Sequence, residues 1–590
     1  MTKKLTLLIM FVFMQTIISA FAEGDVWYIS ADPNEVNQHG YNGNGTRATP
    51  WNLRRGFEQL QKRPNFGGGW QTLKEAGANR AKPGDIIYLL GGTYRLSEMG
   101  SHSGHSNVAI NDNSNCPGLK GTIDKPILVM PYPGHHVIID LAFTQEQINN
   151  IPNNFWQSLT HNSMGIRGEY TYYYDFEIMD SRGKRVSNHK PKDGSHPSFP
   201  NDTHQGNFYP GGDEYAYTKG LKFINLIIHD LSGGPGGNEF DIDHEIYGCL
   251  IYNNGWDAPN QSRKEHGHGL YVRNNVGIKN MCDNIVFNQF GYNLHAFAGG
   301  SGVSSGFDLQ RNITFGNHQA SQFTFSAISG FMVSSCDSMS ATENHLHGGS
   351  PSFEGVRDLS FKNNYVTGGI GLTFSDFWKW ISDNECVPVP NNTVITGNTF
   401  IPYLNPLIIW RSISTHPDCH RIVNNNVYCF NGTENTVGAY VINEKNSNAN
   451  NDQNISYNYW KTKFGFDTGS NFINKSPTDI IFLYPNAYER GRANIVIYNW
   501  TNKKSFNLDA SQMAEIGIKK GDTYVIHNAQ NFFGNLVVAE TTYNGGSIVV
   551  PILTNSDPAI PLDGNGGFYK QNMPNTAPLF NVYIIRNKSR

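Results

Sequence analysis

The sequence predicts an all-β chain: a right-handed parallel β-helix with an N-terminal capping helix, followed by an antiparallel β-sandwich. Three observations predict it. A short unit that opens on asparagine and alternates apolar with polar residues returns from Asn225 to Asn458, at a mean spacing of about 29 residues, inside the range where self-similarity means a solenoid. Within each unit the alternation has period two, which excludes helical repeats. From about Ser476 the pattern changes to longer alternating strands separated by Gly and Asp turns, as in Ala493–Trp500, Thr523–His527 and Leu579–Ile585, the wording of an antiparallel sandwich.

The unit is read at Asn225, Asn284, Asn312, Asn344, Asn364, Asn398, Asn426 and Asn458, with Cys249 in the same slot between the first two. One unit is too small to bury its apolar side alone, so the units must stack. Asparagines at one recurring slot are read as structural, their amides hydrogen-bonding from coil to coil. Upstream, Trp51 to Gln61 has apolar residues at helical spacing behind Thr49-Pro50, a cap followed by an N1 proline. This helix is expected to plug the open end of the solenoid.

The chain opens on Met-Thr-Lys-Lys, runs apolar from Leu5 to Ala20 broken only by Gln15 and Thr16, and closes the run on Ala20-Phe21-Ala22. That is the pattern of a secretory signal peptide. The expected organisation is a leader at 1–22, a β-helix domain at 23–475 and an accessory sandwich at 476–590, in a secreted protein without a membrane span. The 45 basic residues nearly balance 49 acidic ones and form no stripe with interleaved aromatics, so nucleic acid is not an expected partner. Seven cysteines without a CxxC pair are neither a disulfide framework nor a zinc cluster. A solenoid closed at its end, with its own sandwich, is expected to be a monomer.

Pro83-Gly84-Asp85, Gly92-Thr93-Tyr94, Lys125-Pro126-Ile127 and Pro133-Gly134 together resemble the opening coil of β-helix polysaccharide lyases and glycoside hydrolases. The resemblance implies that fold and a polysaccharide or oligosaccharide substrate. Further on, Gly267-His268-Gly269 after an Asp-x-Asp coil is similar to the aspartate and Gly-His-Gly arrangement of β-helix polygalacturonases. Here both aspartates fall on one coil and that family's later Arg-Ile-Lys is missing.

A β-helix offers no natural pocket, so sites lie on an outer face walled by long loops. Three loops stand out, at 101–118, 182–217 and 256–267. Aligning Phe240-Asp241-Ile242-Asp243, Leu270-Tyr271-Val272-Arg273, Leu294-His295-Ala296-Phe297 and Phe323-Thr324-Phe325-Ser326 by their apolar residues gives two outward columns. One reads Asp241, Tyr271, His295, Thr324; the other reads Asp243, Arg273, Phe297, Ser326. The leading expectation is a glycoside hydrolase. One of Asp241 and Asp243 donates a proton to the leaving oxygen, the other activates water, and His268 or His295 tunes them. Arg273 holds a substrate carboxylate or sulfate, Tyr271 offers a ring to the sugar, and Trp256, Asp257 and His266 supply loop contacts. The hydrolase needs no cofactor. The alternative is a polysaccharide lyase in which Arg273, Tyr271 or His295 abstracts the proton α to a uronate carboxylate, while Asp241 and Asp243 hold a calcium ion. A second alternative is a non-catalytic glycan-binding or adhesion solenoid.

Overall fold

The structure, a computed structural model, describes residues 24–39, 43–60, 80–95, 118–142, 163–183, 185–188, 207–210, 218–237, 241–261, 264–297, 304–323, 329–375, 377–378, 387–388, 392–403, 408–411, 419–430, 438–442, 452–475, 477–562 and 575–588. The expected leader at 1–22 lies outside these residues, as do nearly all of the loop at 101–118 and most of the loop at 182–217. Among the described residues no helix is long and apolar enough to cross a membrane.

The chain forms two compact units, one holding residues 24–474 and 561–572, the other 475–560 and 573–590. The first is a parallel β-helix with three faces. Face 1 is formed by Leu270–Val272, Leu294–Phe297, the first halves of Ser329–Thr342 and Ser350–Lys362, then Leu372–Ser375, Ile408–Arg411 and Gly438–Ile442. Face 2 runs in parallel register from Val26–Ile29 to His420–Asn424, and face 3 is a 12-stranded parallel sheet from Gly92–Arg95 to Asn471–Ile473. Ser329–Thr342 and Ser350–Lys362 cross from face 1 to face 2 unbroken, bending at Ser335 (φ 54°) and Gly355 (φ 65°).

Alternation fixes the core. On face 2, Ile87, Val129, Tyr173, Phe223, Ile246, Met281, Leu309, Ala341, Phe361, Ile395 and Val423 stack in register, all buried. The helix Leu53–Leu60 lies against the first coil and buries Leu53, Phe57 and Leu60 in the same core, in the place expected of a cap.

The corner between faces 2 and 3 is made by two residues. The first takes a left-handed conformation in coil after coil: Asn225, Gly248, Asp283, Arg311, Glu343, Asn363, Gly397 and Asn425, with φ between 51° and 71°. The second is the repeating asparagine. Asn312, Asn344, Asn364 and Asn398 each donate their amide to a carbonyl of the coil before (2.7–3.0 Å) and to the next asparagine's Oδ1 (2.9–3.0 Å). Each also donates its backbone N–H to that same Oδ1 (2.8–3.0 Å). The ladder starts where Cys249 N–H meets Asn284 Oδ1 (3.0 Å) and ends on Asp467, whose carboxylate accepts from Asn426, Tyr428, Trp460 and Ser470.

Two of the expected repeat positions are corrected. Ile227 pairs with Leu250, so the ladder slot in that coil belongs to Leu226, and Asn225 is the left-handed corner residue before it. Asn458 is exposed on the helix Tyr457–Phe464, not at a corner; the last corner is taken by Asp467 and Ser470.

The second unit packs a five-stranded antiparallel sheet over a two-stranded antiparallel sheet of Ser505–Leu508 and Ile548–Pro551, with the helix Ala510–Ile516 completing the second layer. That helix is closed by an Asp509 capping box and by Gly517 in the left-handed region.

Asn344→Ala strips four amide hydrogen bonds from the middle of a dry ladder. Urea unfolding of the full chain is expected to show a loss of about 3 kcal/mol, whereas Asn458→Ala is expected to cost less than about 0.5 kcal/mol; equal effects would mean that the ladder does not hold the coils.

Candidate active site

Face 1 carries a cluster of aromatic and imidazole rings set by coil register. Tyr271 and His295 are paired positions on adjacent strands, their rings 5.1 Å apart and nearly parallel. Tyr271 is exposed; His295 is buried at its edge. Two residues before each strand sit His268 and Tyr292, which face one another across the same coil boundary with ring centroids 5.3 Å apart. His268 also lies 5.0 Å from His295 and 5.1 Å from Tyr271.

The sequence around His268 is dictated by space. Gly267 has φ 88°, a region that disfavours any side chain, and a Cβ on it would fall 2.3 Å from the Gly255 backbone. A Cβ on Gly269 would sit 2.5 Å from the Asn293 carbonyl, and one on Gly291 would sit 2.6 Å from His268 Nδ1. The glycines thus let three chain segments close around one imidazole.

That packing sets protons. The Tyr292 backbone N–H donates to His268 Nδ1 (3.0 Å), so a neutral His268 carries its proton on Nε2. His268 Nε2 faces His295 Nδ1 at 3.5 Å, which makes His295 Nδ1 the accepting atom and places the His295 proton on Nε2. A backbone amide therefore fixes the tautomers of two imidazoles in line. Arg273 follows two residues after Tyr271, just past the end of the strand, with its backbone N–H on Gly237 O (3.2 Å). Further along the face the column under Tyr271 and His295 continues as Met332, Ser352 and Thr373, and the one under Phe297 as Ser334 and Glu354.

The structure brings together His268, Tyr271 and His295, leaves Arg273 as a chain neighbour two residues beyond Tyr271, and separates the aspartates from the rings. The expected outward pair is corrected. Asp241 is fully buried, salt-bridged to Lys279 (2.8 Å) and accepting from Thr218 Oγ1 (3.0 Å), with His244 Nδ1 at 3.7 Å. It pairs with Thr218 in a short separate sheet, and the coil position beside Tyr271 belongs to Gly236. Asp243 is exposed but is a corner residue (φ 53°) whose Oδ1 accepts the Ile278 N–H (3.1 Å). The physical reason is that Lys279 enters the solenoid from the next coil and a buried ammonium needs a carboxylate. After His295 the column runs to Met332, not Thr324; Phe240 and residues 324–326 lie outside the described residues.

The loop residues also differ from expectation. Trp256 is fully buried and stacks on His266 at 4.0 Å within a two-stranded ribbon. Asp257 is buried, accepting from Ser321 Oγ (2.6 Å) and the Gln322 N–H (2.9 Å). Burial pushes its carboxyl up to about 7 against those two bonds. These residues pack the loop onto the coils; they do not line face 1. Among the described residues no group of three or more His, Cys, Asp or Glu side chains forms a metal site.

No family model and no curated protein matches the chain. Among solved structures it is similar to the pectate lyase Pel9A, at 13% identity over 69% of this chain and 79% of that one, with a TM-score of 0.32. It is similar also to a GH136 lacto-N-biosidase from Eubacterium ramulus, at 12% identity over 77% and 67%, with a TM-score of 0.38. A third is XylC in complex with xylose, at 10% over 91% and 96%, with a TM-score of 0.38.

Sequence reasoning missed Tyr292 and a second ionised cluster. Tyr292 stands two residues before Leu294 as His268 stands two before Leu270, so aligning the coils by those leucines would have found it. The second cluster is on face 3, where His229 Nδ1 meets Asp230 Oδ2 (2.6 Å) and its Nε2 meets Glu177 Oε1 (3.0 Å). Arg185 pairs with Asp230, and His136 with Glu177 (2.9 Å). Burial lowers the His229 pKa, but hydrogen bonds to Asp230 and Glu177 more than reverse this and lift it to about 9. Burial raises Glu177, but His136 and His229 carry it down to about 2. No sequence signal links these residues, because they meet only through coil stacking.

Two predictions test these assignments. Asp241→Asn leaves Lys279 buried without its carboxylate and is expected to cost about 3–5 kcal/mol of stability, with catalytic turnover unchanged under folding conditions; lost turnover in a stably folded variant would return Asp241 to the chemistry. The His229 contribution is full below its ordinary 6.5 and fades as pH rises through about 9, and that of Glu177 is full above 4.5 and fades as pH falls through about 2. Unfolding free energy from this cluster is therefore expected to plateau between pH 4.5 and 6.5, and a pH titration of His229→Gln against the parent is expected to remove the alkaline fall.

Proposed function

We propose that this protein cleaves a uronate-containing polysaccharide by β-elimination on face 1. The observation that carries the reading is the exposed Tyr271, in register beside a His295 whose tautomer is fixed from the backbone through His268, with Arg273 just past the end of the same strand. Among the described residues of face 1, Glu354 is the only carboxylate, so a two-carboxylate hydrolytic mechanism has no pair there.

Arg273 holds the substrate carboxylate, its planar fork suited to two oxygens. Tyr271, entering the step as the phenolate with its own proton already given up to water, takes the proton from the carbon α to that carboxylate. The electron pair forms a double bond to the β carbon, the bond from that carbon to the glycosidic oxygen breaks, and the leaving oxygen takes the proton back from Tyr271. The His295 Nε2–H and Arg273 stabilise the negative charge that builds on the carboxylate as the α proton leaves. His268 is a positioning residue, acting through His295. The leader-like residues 1–22 make an extracellular setting part of the same proposal.

Purified protein on a panel of polyuronates is expected to produce reducing ends together with the ultraviolet absorbance of unsaturated sugars. Tyr271→Phe is expected to lower kcat by about a thousandfold, and Arg273→Lys to act mainly on KM. Reducing ends without the absorbance would sink the elimination mechanism.

A further inference from the structure

Face 2 holds a groove that the face 1 reading does not use, of about 410 Å3 and within the roughly 300–1,000 Å3 of small-ligand sites. Its floor is one outward column on four consecutive coils, Asp308, Ser340, Ser360 and Val394, set in register. Ser338, Asp358 and Asn392 form a second row beside it. The two middle coils are those whose bent strands carry Met332, Ser334, Ser352 and Glu354 on face 1.

Two features define what the groove takes. Asp308 Oδ2 accepts from Gln310 Nε2 (2.8 Å), while its Oδ1 is shut from bulk water and has no hydrogen-bond partner. The charged side chains lining the groove are Asp308 and Asp358, with no Lys, Arg or His among the lining residues. A carboxylate or sulfate would meet repulsion there, whereas uncharged hydroxyl groups can donate to the groove's carboxylates and exchange hydrogen bonds with the serines and the Asp358–Asn392 pair (2.7 Å). The small side chains of Ser340 and Ser360 leave room for a ring above them, and Ile278 and Val394 give it an apolar edge.

We propose that this groove is a second binding site, for uncharged sugars, on the same coils as face 1. It fits a protein that meets a glycan carrying both acidic and neutral units, the neutral ones held on face 2. The assignment stands on the groove alone and does not depend on the chemistry of Tyr271.

Calorimetric titration of the full chain with neutral xylo-, manno-, gluco- and galacto-tetrasaccharides, and with a tetrauronate, tests it. Tyr271→Phe serves as background, so that cleavage does not intrude. At least one neutral oligosaccharide is expected to bind, and Asp308→Ala is expected to weaken that binding at least tenfold. Ser360→Trp, on the surface and away from the core, is expected to abolish it by filling the floor. Circular dichroism melts confirm that each variant is folded, and kcat/KM on polyuronate is expected to hold in Ser360→Trp made without the Tyr271 change. Absence of binding by every neutral oligosaccharide, or binding untouched by both groove variants, overturns the proposal. Binding without any uronate cleavage by the parent would keep the groove and remove the elimination reading.

Discussion

The two-residue corner between faces 2 and 3 is the constraint on which the rest depends. One residue turns the chain in the left-handed region, and the asparagine after it closes hydrogen bonds to the coil before and the coil after. Because each Oδ1 receives both an amide N–H and a backbone N–H from the neighbouring coil, a slip of one residue would break several bonds in a place that water cannot reach. The ladder thus locks the register of adjacent coils. Its last carboxylate, Asp467, gathers the donors of Asn426, Tyr428, Trp460 and Ser470, so the ladder ends satisfied.

Locked register is what makes face 1 chemically specific. Tyr271 stands beside His295, and His268 across from Tyr292, because their strands are paired residue by residue. The Tyr271–His295 and His268–Tyr292 ring spacings near 5 Å follow from the strand separation of about 4.8 Å. Glycines 267, 269 and 291 then bring backbone close enough for an amide to choose the tautomer of His268. The proton arrangement of the site is a consequence of backbone packing.

The same stacking gives the solenoid two kinds of ionised interior. Asp241 with Lys279, and the His229 cluster, are both assembled from residues on different coils, and each places opposite charges where neither alone would be tolerated. They hold the fold and lie apart from the rings around exposed Tyr271, and this separation is the reason for proposing the chemistry on face 1.

Much of the fold was legible in the sequence because the repeat is a local signal: asparagines 284 to 426 mark the corners, and period-two alternation marks the strands between. The pairing of Tyr271 with His295 was legible for the same reason, since both follow a leucine that had to point inward. The misreadings have two causes. Asp241 lies in an alternating Phe-Asp-Ile-Asp run and reads as outward, yet it points inward because Lys279, 38 residues later, brings an ammonium into the interior. Asn225 and Asn458 match the motif in wording but not in position. The sequence by itself determined the coil, most of its corners and the alternation within its strands. Only the tertiary structure decided which charges were buried and which rings met, because the partner that neutralises a buried charge, or closes a ring cluster, is supplied by another coil and leaves no mark on the local pattern.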